Sequence, residues 1–449
     1  MPELRTEPSR AALPTPAVPR GWPERELYNA TVRILISAGE ASGEMYGAQL
    51  MEALRRRTAE LRSAGEPGAA VPTETLPDPA AKPQKSAAPA QAGPEIEFFG
   101  AGGEKMRAAG CDIVVDAKDL SVVGITEILG HLPKIWRLFH KLIGEADKRK
   151  PDLAIVIDSP AFNWRVAREM RKRGVPVVYY VAPQFWAWRQ GRVKLLRKNV
   201  SKALVIFPFE EKFFCERGVD ATFVGHPLAE LSSASLPREA ADRGKYAGQH
   251  GLDAEKHWIT LMPGSRVKEV GMNLPTMLEA AAQFGRAYEF VLPMAPTLER
   301  SFLQPLLAKL TTVRLVPEAL AALYHSRAGI IASGTATVEA AMMATPFVMV
   351  YRVTPLTYLL GRGRVKVSHF AMVNLIAGEE VVPELVQQDF TAAKVVAELN
   401  QILPDGPARD RMLEGLAGVK ARLRGNGGAH PAERAAEAVL RVWDMSRAV

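Results

Sequence analysis

Short apolar runs, each followed by a longer helical pattern, recur twice over along this chain of 449 residues. The first series comprises Val32–Ser37, Ile96–Phe99, Leu153–Ile157, Val175–Val181 and Lys202–Ile206. The second comprises Trp258–Met262, Tyr288–Leu292, Val313–Val316, Gly329–Ala332 and Phe347–Tyr351. Leu153–Ile157 reads LAIVI, apolar at odd and even positions alike, as in a strand covered on both faces. Strands alternating with helices give parallel sheets. Two such series predict an α/β protein of two doubly wound, Rossmann-like domains facing each other across a cleft. The expected domains are 31–228 and 229–424, parted near Gly225-His226-Pro227. A helical segment, 425–449, follows a break at Gly425–Gly428 and is expected to pack back on the first domain.

Two stretches stand outside this pattern. Residues 1–30 are rich in Pro, Arg and Glu and show no periodicity, which predicts a disordered tail. Residues 63–94 lack aromatic and nearly all large aliphatic side chains. Such a segment buries too little surface to offset its chain entropy, so a flexible insertion is expected.

Lys and Arg number 57 against 49 Asp and Glu, a net charge of +8, which suits an anionic partner. No motif that reads nucleic acid is present, so anionic lipid or a phosphorylated substrate is favoured. Cys111 and Cys215 are too few and too far apart for a disulfide framework or a zinc motif, and a reducing cytosol is the natural compartment. The opening residues lack the apolar core of a signal peptide. No uninterrupted apolar run is long enough for a spanning helix.

Chemistry is expected at the turns that follow the strands. In Ser37-Ala38-Gly39-Glu40-Ala41-Ser42-Gly43-Glu44, small residues admit a ligand to a helix N-terminus, where free N–H groups favour anions. Ser42 as a helix cap with Glu44 in the first turn is the plainer alternative. Glu40, at the carboxyl end of a strand, tips the balance towards function. The cluster Phe99–Gly103 is not a dinucleotide fingerprint and is expected to be a tight turn. Asp158 follows the buried strand LAIVI, where open α/β sheets place ligands, and could take a proton from an acceptor hydroxyl. A loop-capping Asp is the alternative. In Tyr179–Arg189, Trp186 and Trp188 precede a basic stretch beginning at Arg189. Rings stack on sugars or pack on acyl chains, and guanidinium groups meet phosphate, unless the rings turn inward as core.

The second half repeats the logic. Gly264-Ser265-Arg266 follows a strand and opens a helix, so backbone N–H groups and a guanidinium could hold a diphosphate. Ser333-Gly334-Thr335 does the same, with Glu339 one turn in and able to accept from ribose hydroxyls. Helix capping is the alternative for both. Together they suggest a nucleotide-diphosphate pocket. Elsewhere, Leu132, Ile135, Trp136, Phe139, Leu142 and Ile143 share a helical face flanked by Lys134, Arg137, His140 and Lys141. This pattern suits a membrane interface, with Ile135, Trp136 and Phe139 facing the lipid, or a core-packed helix with a solvated side. A second basic, apolar stretch is Pro355–Lys366.

Read together, these segments resemble the lipid A disaccharide synthase family. The matching pieces are AGEASGEMYGA, GAGGEKMRAAG, LSVVGITEILGHLPKIWRL, PDLAIVIDSPAFN, YYVAPQFWAWRQGRV, FPFEEKFF with VGHPL, LMPGSRVKEV, ASGTATVEAAM, VMVYRVTPLTYLL and VNLIAGEEVVPELVQ, collinear from about Ile34 to Val386. The resemblance implies an inverting glycosyltransferase of GT-B fold, needing neither metal nor cofactor, at the inner face of the cytoplasmic membrane of Gram-negative bacteria. It implies UDP-2,3-diacylglucosamine as donor and 2,3-diacylglucosamine 1-phosphate as acceptor. The products would be the β-1′,6-linked disaccharide 1-phosphate and UDP. It marks Glu40, Ser42, Asp158, Arg266 and Asn374 as functional candidates, with Asp158 or Glu40 as the base and Asn374 on substrate. Gly43, Glu44, Trp186 and Arg189 join the substrate side. Gly264, Ser265, Ser333, Gly334, Thr335 and Glu339 join the UDP side. Two positions depart from the family pattern: Glu44 replaces a more usual Asp, and Ala161 replaces a common Asp, leaving Asp158 as the sole acid of its loop. The rivals are another sugar-nucleotide enzyme such as a UDP-N-acetylglucosamine epimerase, a non-catalytic lipid-binding protein, and an NAD oxidoreductase. A homodimer is compatible with exposed C-terminal helices.

Overall fold

The computed structural model describes residues 31–64, 95–120, 125–295, 297–307, 312–354, 358, 367–425 and 428–447. The strands of the first domain are β1 (Val32–Ala38), β2 (Ile96–Gly102), β3 (Cys111–Asp116), β4 (Leu153–Ile157), β5 (Val177–Tyr180), β6 (Lys202–Val205) and β7 (Ala221–Phe223). These make a seven-stranded parallel sheet in the order β3-β2-β1-β4-β5-β6-β7. The strands of the second domain are β8 (His257–Met262), β9 (Tyr288–Pro293), β10 (Val313–Val316), β11 (Ala328–Ala332), β12 (Phe347–Tyr351) and β13 (Glu384–Val386). These make a six-stranded parallel sheet in the order β10-β9-β8-β11-β12-β13. All five residues of β4 are buried, as LAIVI requires of a strand covered on both faces.

In both sheets the strand order reverses beside the first strand of the series. The crevice lies between β1 and β4 in one sheet and between β8 and β11 in the other. Adjacent helices there leave on opposite faces, so the carboxyl ends of those strands open a gap for a ligand. Four of the expected turns fall at these points. Glu40 follows β1, Asp158 follows β4, Gly264-Ser265-Arg266 follows β8, and Ser333-Gly334-Thr335 follows β11.

Several expectations need correction. The expected turn Phe99–Gly103 is largely strand, because β2 runs on through Gly102. A side chain at Gly100 would strike the Ile36 carbonyl on β1, so glycine here allows strands to approach rather than turn. Strands β3, β7 and β13 went unforeseen; each is an edge strand, and β7 and β13 have only three residues each, too few for an apolar alternation to develop. Ser42 is not a cap: the helix Ala41–Ala64 begins before it.

The amphipathic segment forms helix Ile125–Arg149, and much of its apolar face packs inward. Phe139 is 7% exposed and meets the Phe162 ring edge-on at 6.0 Å. Leu142 and Ile143 are buried beside it, and Ile135 is half-buried. Burying these side chains under the sheet stabilises the fold by about 1.5–3 kcal/mol each, so the sheet takes the surface expected to meet lipid. Trp136 alone of the three expected membrane contacts is well exposed, at 56%. Pro355–Lys366 lies outside the described residues except for Tyr358, and so does the side chain of Leu132. Among the described residues, no helix is long and apolar enough to cross a membrane.

The chain crosses between the sheets twice. His226 donates its backbone N–H to Leu423 O at 2.9 Å, so the outgoing and returning segments lie side by side. Helix Pro431–Arg447 then packs on helix Ala41–Ala64 of the first domain. Glu433 pairs with Arg56 at 2.5 Å and Arg57 at 3.4 Å, and Arg434 Nε donates to Val224 O at 2.8 Å. Val439, Leu440 and Trp443 cover Val32, Ile34, Ile96 and Leu153.

Candidate active site

The two crevices share one cavity of about 1010 Å³. Ser42, Tyr46, Asp158 and the segment Val181–Arg189 line its first wall. Ser333, Gly334, Thr335, Tyr351, His369 and Phe370 line the opposite wall.

The first wall is built around a strained loop. Asp158 and Ser159 have φ of 47° and 45°, and Val181, after the adjacent strand, has φ of 58°. Left-handed backbone costs a non-glycine residue about 1–3 kcal/mol, so its surroundings must impose it. Asn163, wholly buried, supplies much of that constraint. Its amide donates to the carbonyls of Ser37 (3.0 Å), Ile157 (2.8 Å) and Asp158 (3.0 Å), and its oxygen accepts from Ser37 Oγ at 2.6 Å. Tyr179 Oη donates to Asp158 O at 2.9 Å, and Asp158 N–H donates to Tyr180 O at 3.0 Å. Gly39 lets the β1 loop meet this one, since any side chain there would collide with Ser159.

The result is a carboxylate held in a sheltered place. Burial, and then the nearby charge of Glu40, push the Asp158 carboxyl up to about 6. At neutral pH it is ionised yet more basic than an ordinary aspartate, as a proton acceptor should be. Glu40 is exposed and outside the cavity lining, so it acts on Asp158 through its field. Tyr46 lies within the field of both Asp158 and Glu339, which raises its hydroxyl beyond the effect of burial and ties the two walls together.

Other substrate-side candidates make contacts within the protein. Glu44 accepts the Lys105 N–H at 2.5 Å and caps the short helix Glu104–Ala108. Gly43 faces Ala38 and Ile157, where even an added methyl group would make only ordinary contacts. Trp186 is buried: its indole N–H donates to Glu210 at 2.8 Å while its ring edge meets Phe209. Asn374 does not offer its amide to the cleft. It is wholly buried, donating to Val382 O and Glu384 at 2.8 Å each and accepting from Val381 N and Val382 N. Glu384 in turn accepts the N–H groups of Phe370 and Ala371, so the pair braces the loop that forms the opposite wall. Arg189 remains exposed at the cavity, its guanidinium 3.8 Å over the Trp188 ring.

The opposite wall offers small residues and backbone. Ser333 Oγ donates to Phe370 O at 2.8 Å, and Gly334, φ 146°, precedes helix Thr335–Met342. Glu339 is partly exposed, and burial of its carboxyl raises its pKa. Arg266 does not line the cavity; it is 75% exposed and pairs with Glu269 at 3.1 Å. Glu269 also accepts the Ser265 N–H at 3.3 Å. Gly264 has φ 118°, and a side chain there would press into Glu269. The Gly264–Arg266 turn is thus folded around a carboxylate of its own helix.

Sequence reasoning missed Asn163, Glu210, His226 and Glu384. Glu210 is wholly buried and accepts from Trp186 and from the Ile206 and Phe207 N–H groups; burial pushes it up to about 7. His226 is buried against Phe207, and burial pushes it down to about 3. No local spacing announces such residues, because their partners lie on other elements. Among the described residues, no group of three or more His, Cys, Asp or Glu is disposed to hold a metal ion.

The statistical model of the lipid-A-disaccharide synthetase family matches residues 85–414. The chain belongs to that family. It is 50% identical to a lipid-A-disaccharide synthase of Koribacter versatilis, over 92% of this chain and 98% of the relative. It is 45% identical to one of Acidobacterium capsulatum, over 87% and 91%, and 38% identical to one of Myxococcus xanthus, over 92% and 98%. Like other members of the lipid-A-disaccharide synthetase family, it is a glycosyltransferase that joins two sugars in lipid A biosynthesis. The fold is GT-B. The glycosyltransferase of kitacinnamycin superposes with a TM-score of 0.56 at 14% identity, covering 92% of this chain and 99% of that one. A UDP-GlcNAc 2-epimerase from Neisseria meningitidis superposes at 0.53 and 12% identity, covering 92% and 100%. At such identities only architecture is shared, and transferases share it with epimerases.

Proposed function

We propose that this chain transfers 2,3-diacylglucosamine from UDP-2,3-diacylglucosamine to 2,3-diacylglucosamine 1-phosphate, with inversion and with Asp158 as general base. One observation carries the reading: a single cavity joins a basic, sheltered carboxylate on one sheet to a helix entrance of small residues, Ser333-Gly334-Thr335, on the other. The donor lies on the second domain. The N–H groups that open helix Thr335–Met342 face its diphosphate, and Glu339 accepts from the ribose. Arg266 leaves Glu269 and turns onto the diphosphate as the domains close. These donors stabilise the negative charge that grows on the departing UDP.

The acceptor lies against the first wall with its 6-hydroxyl at Asp158. The hydroxyl oxygen bonds to the anomeric carbon from the face opposite UDP. The carbon–oxygen bond to the β-phosphate breaks, the hydroxyl proton passes to Asp158, and UDP leaves with the bonding pair. Closure of the walls keeps water from taking the hydroxyl's place. Trp136 and Trp188, the most exposed aromatic side chains among the described residues, offer contacts to a lipid surface, which the acyl chains of both substrates require. The reaction proceeds at the inner face of the cytoplasmic membrane without a metal ion.

The test is turnover of purified protein with both substrates in detergent, following disaccharide and UDP, with and without chelator. Disaccharide formed in chelator supports both the reaction and its metal independence. No disaccharide from folded protein, with or without magnesium and at several acyl lengths, overturns the reading.

A further inference from the structure

We propose that Arg165, Arg189 and Arg192 form a phosphate-reading subsite on the first wall of the cavity, which recognises the anomeric phosphate of the acceptor and so decides which sugar receives the transfer. The inference rests on the function proposed above.

All three side chains line the cavity that contains Asp158. Arg165 projects from helix Pro160–Lys172, which begins just after the Asp158–Ser159 loop. Arg189 and Arg192 follow the short helix Phe185–Trp188 beyond β5. Some arginines elsewhere on this domain are neutralised, as Arg149 is by Asp112 and Glu145 and Arg173 by Asp147 and Glu169; what sets these three apart is that they line the same cavity. Among the described residues, none of the three cavity arginines has a carboxylate partner. Arg165 donates to the Ala161 carbonyl, a residue that brings no carboxylate of its own. Arg189 is close enough to Arg192 for that charge, after desolvation, to lower its pKa.

Like charges gathered without counter-charges repel one another, and an anion relieves that repulsion. Guanidinium groups offer paired N–H donors that match phosphate oxygens. Arg189 is already steadied on the Trp188 ring, so less freedom is lost when it binds. Neither sheltered carboxylate of the cavity serves as counter-ion: the Trp186 indole and two backbone N–H groups occupy Glu210, and burial and Glu40, with no arginine, act on Asp158. Nor is the donor diphosphate the natural ligand, because its helix entrance lies on the other sheet. The remaining anion in the reaction is the acceptor's phosphate. Donor and acceptor carry the same acylated sugar, and this phosphate is what distinguishes an acceptor from a hydrolysed donor.

The experiment compares kcat/KM for the 1-phosphate acceptor and its 1-hydroxyl analogue in the wild type, Arg165→Gln, Arg192→Gln and the double variant. The wild type is expected to favour the phosphate by at least about tenfold, the effect of one charge-assisted hydrogen bond pair. The double variant is expected to bring that ratio close to unity with the donor KM unmoved, and Arg192→Lys to recover part of it. A ratio unchanged in folded double variant, or a donor KM that rises with it, overturns the subsite. Binding to phosphatidylglycerol vesicles is measured alongside. Loss of vesicle binding with the acceptor ratio intact assigns the cluster to lipid headgroups and also overturns it. A wild type that makes no disaccharide from either acceptor overturns the proposed reaction instead, so the two failures are distinct.

Discussion

The two crevices have the same topology and opposite local design. Between β1 and β4 the backbone is forced into left-handed conformations at Asp158 and Ser159, and a saturated Asn163 bonds three carbonyls to hold it there. Between β8 and β11 the unusual conformations fall on Gly264 and Gly334, which adopt them at little cost. The residue corresponding in role to Asn163 is Asn273, also buried, yet it bonds a single carbonyl, that of Pro263, and its Oδ1 has no partner among the described residues. One crevice is rigid and aims a carboxylate; the other is pliant and exposes backbone. A proton acceptor gains from fixed position and shelter. A diphosphate with many oxygens gains from a surface able to wrap it. The difference teaches that a repeated fold supplies a place for chemistry, and the residues at the strand ends decide which chemistry.

If the rigid crevice carries the proton transfer, Asp158→Asn should lower kcat by about a thousandfold or more, the upper range for loss of a general base, with the donor KM little changed. Turnover within tenfold of the wild type would break the comparison at its centre. If the pliant crevice holds the leaving group, Arg266→Gln should lower kcat/KM for the donor by about a hundredfold. Isothermal titration should show weaker UDP binding in the same variant. Asn163→Ala should destabilise the fold by about 3 kcal/mol, because it strands buried polar groups and releases a strained loop. Asn273→Ala should cost about 1 kcal/mol, since it removes one bond. Equal losses in thermal melts would show that the two crevices are equally stiff.

A subtler measurement concerns pH. The Asp158 carboxyl stands at about 6 in the folded chain against an ordinary 3.8. A raised acid favours folding fully below its ordinary value, and that stability is lost as pH climbs through the folded value. Above about pH 6 the ionised group therefore works against folding, by on the order of 1–3 kcal/mol. Asp158→Asn should melt higher than the wild type at pH 7.5 and no higher near pH 4. Over the same range the wild-type kcat/KM should rise as Asp158 loses its proton. An activity profile flat from about pH 5 to 8 would assign proton transfer to another group.

The fold was legible because LAIVI and its counterparts carry the mark of strands covered on both faces, and because each candidate turn at the two crevices sits directly after one. The strand ends at Glu40, Asp158, Arg266 and Ser333 could be found from chain order alone. What stayed hidden depended on partners distant in sequence. Asn374 and Glu384 brace one another behind the wall, and neither spacing nor composition separates such a brace from a binding residue. Glu44 has the charge of a ligand contact, but its partner, the Lys105 N–H, lies beyond the residue 63–94 segment. The helix holding Trp136 and Phe139 shows the limit most plainly. Its amphipathic period is real, but a period says only that one face avoids water. The sheet beneath, not the period, determines that Phe139 turns towards Phe162 while Trp136 remains outside.

The packing of Pro431–Arg447 over Val32, Ile34 and Leu153 has a consequence for how the molecule is made. β1 and β4 lie side by side in the interior of the first sheet, and part of their cover comes from a helix that follows the whole second domain. As the chain leaves the ribosome, the first domain waits with part of its core bare until that helix emerges. Completion of the first wall thus depends on synthesis of the second, and an interrupted chain would be left with neither a finished core nor a whole cavity.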